Sequence, residues 1–160
     1  MWRSARIVIL ATALAVALPV ASVAGEAPDP LLGTWQLNLA KSKFNPAPGP
    51  KGQLRTYSRT GDTEKLVSRG VDSAGKPNLV QYTARFDGKD YPITGSLGGD
   101  QISLKRVDAS TTVSTQKRDG KPAIIARRTV SQDGKTLTVT SQGTTAEGVP
   151  IDSTLVFDRR

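Results

Sequence analysis

The stretch Asp133-Gly134-Lys135-Thr136-Leu137-Thr138-Val139-Thr140 combines a tight turn with the strand that follows it. Asp-Gly is favoured in two-residue hairpin turns, because both central residues adopt a positive φ that Gly and Asp tolerate. After the turn, Leu137 and Val139 alternate with threonines, which is the period-two pattern of a strand with one apolar face. The stretch therefore predicts a hairpin turn that leads into a half-buried strand.

The same turn chemistry recurs along the chain at Ala74-Gly75-Lys76, Asp87-Gly88-Lys89 and Asp119-Gly120-Lys121. Between the turns lie runs of strand length that are rich in Thr, Val, Ile and Tyr, whereas no segment after residue 24 has a persuasive helical period. Ten strands are predicted, at 33–39, 53–60, 64–71, 78–86, 90–95, 100–107, 110–118, 121–131, 135–142 and 150–158. Consecutive strands joined by short turns form an up-and-down meander, and closure into a barrel is the most complete way to hide its edges. We therefore predict an all-β fold, an antiparallel barrel of about eight to ten strands.

A proline-rich connector, residues 45–52, separates the first two predicted strands. Its core, Asn45-Pro46-Ala47-Pro48-Gly49-Pro50, favours extended backbone. We expect it to run as a strap across the sheet.

The N-terminal segment has the three parts of a secretory signal. Arg3 and Arg6 supply the positive start, an apolar run follows over 7–20, and Ser22-Val23-Ala24 offers the small residues of a cleavage site. We expect cleavage after Ala24, with 25–160 folding as one domain in the periplasm or outside the cell and with no stable membrane insertion. An uncleaved anchor is the alternative, although the apolar run is short for a bilayer span of about 20 residues.

The composition excludes several kinds of chemistry. The chain has no His and no Cys, which excludes Ser-His-Asp and Cys-His nucleophile systems and the common zinc, iron–sulfur and His-ligated haem sites. We predict no metal, no other cofactor and no catalytic residues. Most Asp residues fall at turns, where they have a local backbone role, yet a hydrolase based on paired carboxylates stays open as an alternative because spatial pairing is invisible in sequence.

The basic excess does not by itself indicate a nucleic-acid partner. Lys and Arg number 22 against 14 acidic residues, but they are scattered along the chain and show no basic stripe with interleaved aromatics. We expect no specific nucleic-acid binding, and the oligomeric state stays open.

The first predicted strand opens with Gly33-Thr34-Trp35-Gln36-Leu37-Asn38, followed by Lys41-Ser42 and Phe44. The Gly-x-Trp start resembles the signature of the lipocalin and fatty-acid-binding-protein superfamily, antiparallel barrels with an internal ligand cavity. With the 133–140 stretch, the chain is more closely similar to a group of small secreted bacterial proteins described as lipocalin-like. In physical terms, Gly33 lets the chain bend sharply beside the bulky indole and Trp35 can plug one end of the barrel, so we expect both to be structural rather than catalytic.

The chain also departs from these relatives. Fatty-acid-binding proteins insert two helices after the first strand, where this chain has its proline-rich connector. They clamp a carboxylate with a C-terminal Arg-x-Tyr and a second Arg, and the matching position here is Leu155-Val156-Phe157. That difference argues against a carboxylate held by the same route.

The barrel interior is the candidate site for a small hydrophobic ligand, because binding sites are commonly apolar cavities with a few polar groups. Alternation predicts that one set of side chains points inward: Tyr57, Tyr82, Phe86, Ile102, Leu104, Val113 and Ile125. Arg127 and Arg128 must point to opposite faces, and Arg127 is taken as the inward one, free to meet an anionic ligand or to stack on Trp35. For this arginine, the alternative is a charge pair with Asp152 or Asp158. For the interior, the alternative is that its own side chains fill it, in a structural or interaction protein of the envelope.

Overall fold

The computed structural model describes residues 28–160, which form one closed barrel of ten antiparallel strands. The strands are β1 (Gly33–Leu37), β2 (Gly52–Thr60), β3 (Thr63–Val71), β4 (Pro77–Arg85), β5 (Tyr91–Thr94), β6 (Gln101–Arg106), β7 (Thr111–Arg118), β8 (Lys121–Val130), β9 (Thr136–Thr144) and β10 (Pro150–Arg159). Each strand pairs with the next, and β1 pairs with β10 to close the barrel. The prediction of an all-β meander that closes on itself is confirmed.

The predicted signal peptide, residues 1–24, lies outside the described residues. Within 28–160 no helix is long and apolar enough to span a bilayer.

Trp35 seals one end of the barrel, the closed end. Its side chain is fully buried, and its indole nitrogen donates to the carbonyl oxygen of Leu31 at 2.8 Å. The guanidinium of Arg159 lies over the indole, 4.1 Å from the ring centroid, and donates to the carbonyl oxygen of Leu32 at 2.8 Å. The predicted stacking of an arginine on Trp35 is therefore present, but Arg159 makes it rather than Arg127 or Arg128.

The segment before β1 is tied beneath the barrel by Asp29. Its carboxylate forms salt bridges with Arg59 of β2, at 3.4 Å, and with Arg106 of β6. Phe86 lies under the same two arginines, with the guanidinium of Arg106 4.5 Å from its ring centroid. These contacts join strands from different parts of the barrel at its closed end.

The proline-rich connector becomes a strap, residues 44–50, at the opposite end. β1 stops at Leu37, and the chain then pairs with the part of β10 that β1 leaves uncovered: Lys43 exchanges two backbone hydrogen bonds with Thr154, at 2.7 and 2.8 Å. The carbonyl oxygen of Asn45 accepts from the backbone nitrogen of Asp152. After the strap, the backbone nitrogen of Lys51 donates to Val71 of β3, so both ends of the strap are fixed to the barrel.

Candidate ligand cavity

The barrel contains a cavity of about 540 Å³ that reaches the strap end. Apolar side chains from several strands form much of its wall: Leu66, Val80, Ile93, Ile102, Ile124, Ala126, Val139, Ile151 and Leu155. Strap residues Phe44, Pro46, Pro48, Gly49 and Pro50 line it as well. The alternative of an interior filled by its own side chains is therefore wrong for this barrel.

The strap packs closely on itself where it borders the cavity. A β-carbon placed on Gly49 would lie 2.2 Å from Cγ of Phe44, so the aromatic ring rests directly on the glycine backbone. Replacing the glycine with any larger residue would displace Phe44 from the cavity wall. The sequence therefore needs glycine here to keep an aromatic side chain at the mouth.

A buried polar network crosses the barrel beside the cavity. Arg128 of β8 donates through Nη1 to Oε1 of Glu64 at 2.9 Å and to the phenol oxygen of Tyr82 at 2.8 Å, and through Nε to the hydroxyl of Thr112 at 2.8 Å. The phenol of Tyr82 donates to the same Oε1 of Glu64 at 2.6 Å. Because buried charges need partners, this network lets β8 hold an arginine inside the barrel.

Together, the network and its burial raise the pKa values of two side chains, Tyr82 and Arg128. Burial raises the pKa of the Tyr82 phenol well above 10.0, and the neighbouring Glu64 adds to the rise while Arg128 opposes it. Burial alone would lower the pKa of Arg128, but Tyr82 and Glu64 outweigh that effect and raise the guanidinium pKa well above its ordinary value. Arg128 is therefore a permanent cation and Tyr82 a neutral phenol at physiological pH.

A group of polar side chains on the cavity wall, here called the polar cluster, has unused hydrogen-bonding capacity. Each member lines the cavity and has at least one buried side-chain atom with no hydrogen-bond partner within 28–160: Gln53, Arg55, Tyr57, Ser68 and Arg128. Arg55 and Ser68 are directly opposite each other on β2 and β3, and Arg128 reaches across to within 5.2 Å of the Tyr57 ring centroid. Buried polar atoms without partners are uncommon in proteins, which makes the cluster a candidate for contact with a ligand.

Arg55 is held in place by an aromatic ring rather than by an acid. Its guanidinium lies 4.6 Å from the ring centroid of Phe157, and it forms no salt bridge within the described part of the chain. The arrangement positions a cation at the cavity wall without neutralising its charge.

The structure brings three of the predicted interior residues to the cavity wall: Tyr57, Tyr82 and Ile102. Leu104 also points inward and is fully buried, but it lies outside the cavity lining, within the apolar core. Phe86 follows β4 and packs at the closed end under Arg106. The ligand-contacting role of the three cavity residues stays a prediction.

Val113, Ile125 and Arg127 do not point into the barrel, so the prediction that they face inward is wrong. Ile125 is 50% exposed, Arg127 is exposed, and Val113 pairs with Arg127 on the outer face. Their neighbours Ser114, Ile124 and Arg128 take the inward positions. A shift of one residue along a strand exchanges its two faces, and the prediction for β7 and β8 is displaced by one residue.

The proposed pairing of the barrel arginine with Asp152 or Asp158 is also absent from the described residues. Asp158 instead binds Lys41 at 3.3 Å and Asn38 at 2.6 Å. Asp152 lies within 3.4 Å of Gln142.

Sequence reasoning missed Arg55, Ser68, Glu64 and Gln53. Two of them could have been predicted from the alternation of side chains, because Arg55 and Gln53 are two and four residues before Tyr57 and must share its face. The Arg-x-Tyr spacing sought on the last strand occurs instead at Arg55-Thr56-Tyr57 on β2. Glu64 and Ser68 gave no signal, since polar residues on a strand ordinarily indicate the wet face.

Comparisons with known proteins bear on the fold. No protein-family model matches the chain, and no curated protein matches it. Among solved structures, it is similar to the zebrafish ileal bile acid-binding protein complexed with cholic acid, with 10% sequence identity and a TM-score of 0.51 over 82% of this chain and 99% of that one. At this identity the likeness shows the fold alone, a closed antiparallel barrel of the type found in lipocalins and fatty-acid-binding proteins.

Proposed function

We propose that this chain is an exported, non-catalytic binding protein that holds a small amphipathic molecule inside its barrel. The observation that carries the proposal is the cavity of about 540 Å³, with apolar walls and a polar cluster whose buried atoms have no partner within 28–160. Small-molecule sites commonly combine a volume of roughly 300–1,000 Å³, apolar walls and a few convergent polar groups. A ligand with one polar end and one apolar part satisfies both kinds of surface.

The fold supports the same proposal by analogy. The zebrafish protein to which the chain is similar binds bile acids, as its name and its complex with cholic acid state. Fold alone does not determine function, so the argument depends on the cavity of this chain. We infer a small amphiphile without assigning it to the bile acids.

The carboxylate-hydrolase alternative finds no support at the cavity. Of the side chains in 28–160 that line it, Asp72 alone carries a carboxylate, and its Oδ1 accepts the backbone N–H of Lys76 in the β3–β4 turn. Glu64 is buried behind Tyr82 and Arg128 and is not part of the lining. A glycosidase-type mechanism needs two carboxyl groups facing one space.

Export is the second part of the proposal. The basic start at Arg3 and Arg6, the apolar run and the small residues ending at Ala24 support a cleaved signal peptide. The similarity of the first strand to secreted bacterial lipocalin-like proteins agrees with a periplasmic or extracellular protein. Intact mass and N-terminal sequencing of protein from the producing cells test this part, and a mature start at Gly25 is expected.

The binding proposal is tested by native mass spectrometry of protein purified from its own host, followed by extraction of any bound molecule. We expect a species heavier than the polypeptide, and displacement of that molecule by a fluorescent amphiphile. Ala126→Phe, which projects a ring into the cavity, should abolish the added mass, whereas Ile125→Phe on the outer face should not. A bare polypeptide mass together with no amphiphile binding by the unmodified protein would overturn the proposal.

A further inference from the structure

The charge around the polar cluster is unbalanced by one unit. Arg55 and Arg128 line the cavity as two cations. Glu64, 1% exposed, forms a buried salt bridge with Arg128 through Oε1, which also accepts from Tyr82, and its other oxygen, Oε2, is buried without a partner among the residues described. Two guanidinium groups and one carboxylate leave one positive charge. Asp72, the acidic residue in the lining, belongs to the turn at the mouth and already accepts a backbone N–H.

The polar cluster has four unused hydrogen-bond donors and one unused acceptor, Oε1 of Gln53. Nη2 of Arg128, Nε of Arg55, the phenol of Tyr57 and the hydroxyl of Ser68 are all buried and have no partner among the residues described. Tyr57 and Ser68 are each 2% exposed and Arg128 3%, so water reaches these groups poorly and an uncompensated charge there is costly. One negative charge with several acceptor lone pairs matches this set.

We propose that the cavity selects amphiphiles with a singly charged anionic head group, such as a carboxylate or sulfonate, and that Glu64 sets this limit. The inference rests on the proposed binding function. A neutral head group leaves the residual positive charge of Arg55 uncompensated. A doubly charged head group, such as a phosphate monoester, brings one negative charge more than the site can neutralise. Because like charges brought together in a desolvated site are strongly unfavourable, Glu64 disfavours that second charge.

The first test measures the unmodified protein with three ligands that share one alkyl chain: decyl sulfonate, decyl phosphate and decanol. Isothermal titration calorimetry at pH 5.5 and 8.5 compares the sulfonate and the phosphate below their micelle concentrations and decanol below its solubility limit. The phosphate gains its second charge between these pH values, because its second pKa is about 6. We expect its affinity to fall roughly tenfold or more, while the sulfonate stays constant. The chain has no His, and the sulfonate controls for any titration of the protein.

The second test changes the charge of the site. Glu64→Gln keeps an acceptor oxygen for Tyr82 and Arg128 but removes the negative charge, so it should erase or reverse the preference for sulfonate over dianionic phosphate. Glu147→Gln makes the same chemical change at an exposed residue that does not line the cavity, and it should leave the preference intact. If Glu64→Gln does not fold, the pH series on the unmodified protein still decides the charge selection, and a phosphate affinity that does not fall between pH 5.5 and 8.5 would overturn it.

The outcomes separate this inference from the function beneath it. Equal affinity for the sulfonate, the phosphate dianion and decanol would overturn the charge selection and leave the binding function standing. Failure of all three to bind the unmodified protein would overturn both. A folded Glu64→Gln protein that retains the full preference would show that Glu64 does not set the limit.

Discussion

Gly33 shows how a single backbone position supports the closed end. Its φ is +120°, and a β-carbon there would lie 2.8 Å from Nη1 of Arg159, the guanidinium that covers Trp35. Glycine is therefore required for its dihedral angle, and its missing β-carbon also leaves room for the guanidinium. This contact gives a physical reason for the glycine in the Gly-x-Trp start.

Gly33→Ala should lower the free energy of unfolding by about 2–3 kcal/mol, which combines backbone strain with displacement of Arg159 from the indole. Urea denaturation measures the loss. Gly61→Ala serves as a control without a steric contact: Gly61 has a φ of +59°, in the left-handed region that alanine tolerates better, and no atom near its added methyl, so its loss should be about 1 kcal/mol. Equal losses in the two variants would show that the contact between Gly33 and Arg159 does not contribute.

The buried phenol of Tyr82 should make the protein less stable at alkaline pH. Burial raises the pKa of its phenol above the ordinary 10.0, so the neutral form stabilises the fold and this contribution is complete below pH 10. Above pH 10 the unfolded chain loses the proton more readily, and stability should fall by up to about 1.4 kcal/mol per pH unit until the folded pKa is reached. Unfolding at pH 9 to 11 measures the slope. Tyr82→Phe should reduce it, and Tyr91→Phe, at a far less buried phenol, should reduce it less.

Strand by strand, the alternation of side chains identified β1, β6 and β9, which have apolar residues on one face only, and β4 from Val80 onward. β8 gave no such information. Its doublets Ile124-Ile125 and Arg127-Arg128 place the same residue type on both faces, so the pattern reads equally well in either orientation. Pairing with β7 determines which face is inward, and that ladder shifts register between Gln116 and Lys117. The inward arginine therefore depends on contacts between strands that no single strand encodes.

At the strap, we expect Phe44 to control how fast a ligand leaves the cavity rather than how tightly it binds. Phe44 lines the cavity and rests on Gly49, so Phe44→Ala should open the mouth and speed dissociation of a bound amphiphile several-fold. Stopped-flow displacement of a fluorescent amphiphile measures the rate. Leu39→Ala removes an apolar side chain from the segment between β1 and the strap, at a position 47% exposed, and the rate should not change. An unaltered rate in Phe44→Ala would show that ligands do not pass the strap.

Across the whole barrel, the two ends carry different contacts. The closed end joins strands through Asp29, Arg59 and Arg106 and through Arg159 on Trp35. The other end carries the strap and the cavity mouth. Between them, β8 contributes Arg128 to the polar network and Val130 to the core. Because the barrel leaves no open sheet edge, its ends are where the chain can differ without disturbing strand pairing.

Because the two ends carry different contacts, a substitution at one end should not change the energetic effect of a substitution at the other. Asp29→Ala leaves Arg59 and Arg106 without their shared carboxylate, and it should lower the free energy of unfolding by about 1–3 kcal/mol with little change in amphiphile affinity. Phe44→Ala should change the dissociation rate with a smaller effect on stability. In the double variant the two losses of unfolding free energy should add within about 0.5 kcal/mol, as expected for distant sites without shared partners. Denaturation and calorimetry on all four proteins complete the cycle, and a larger coupling would mean that the closed end and the mouth act as one unit.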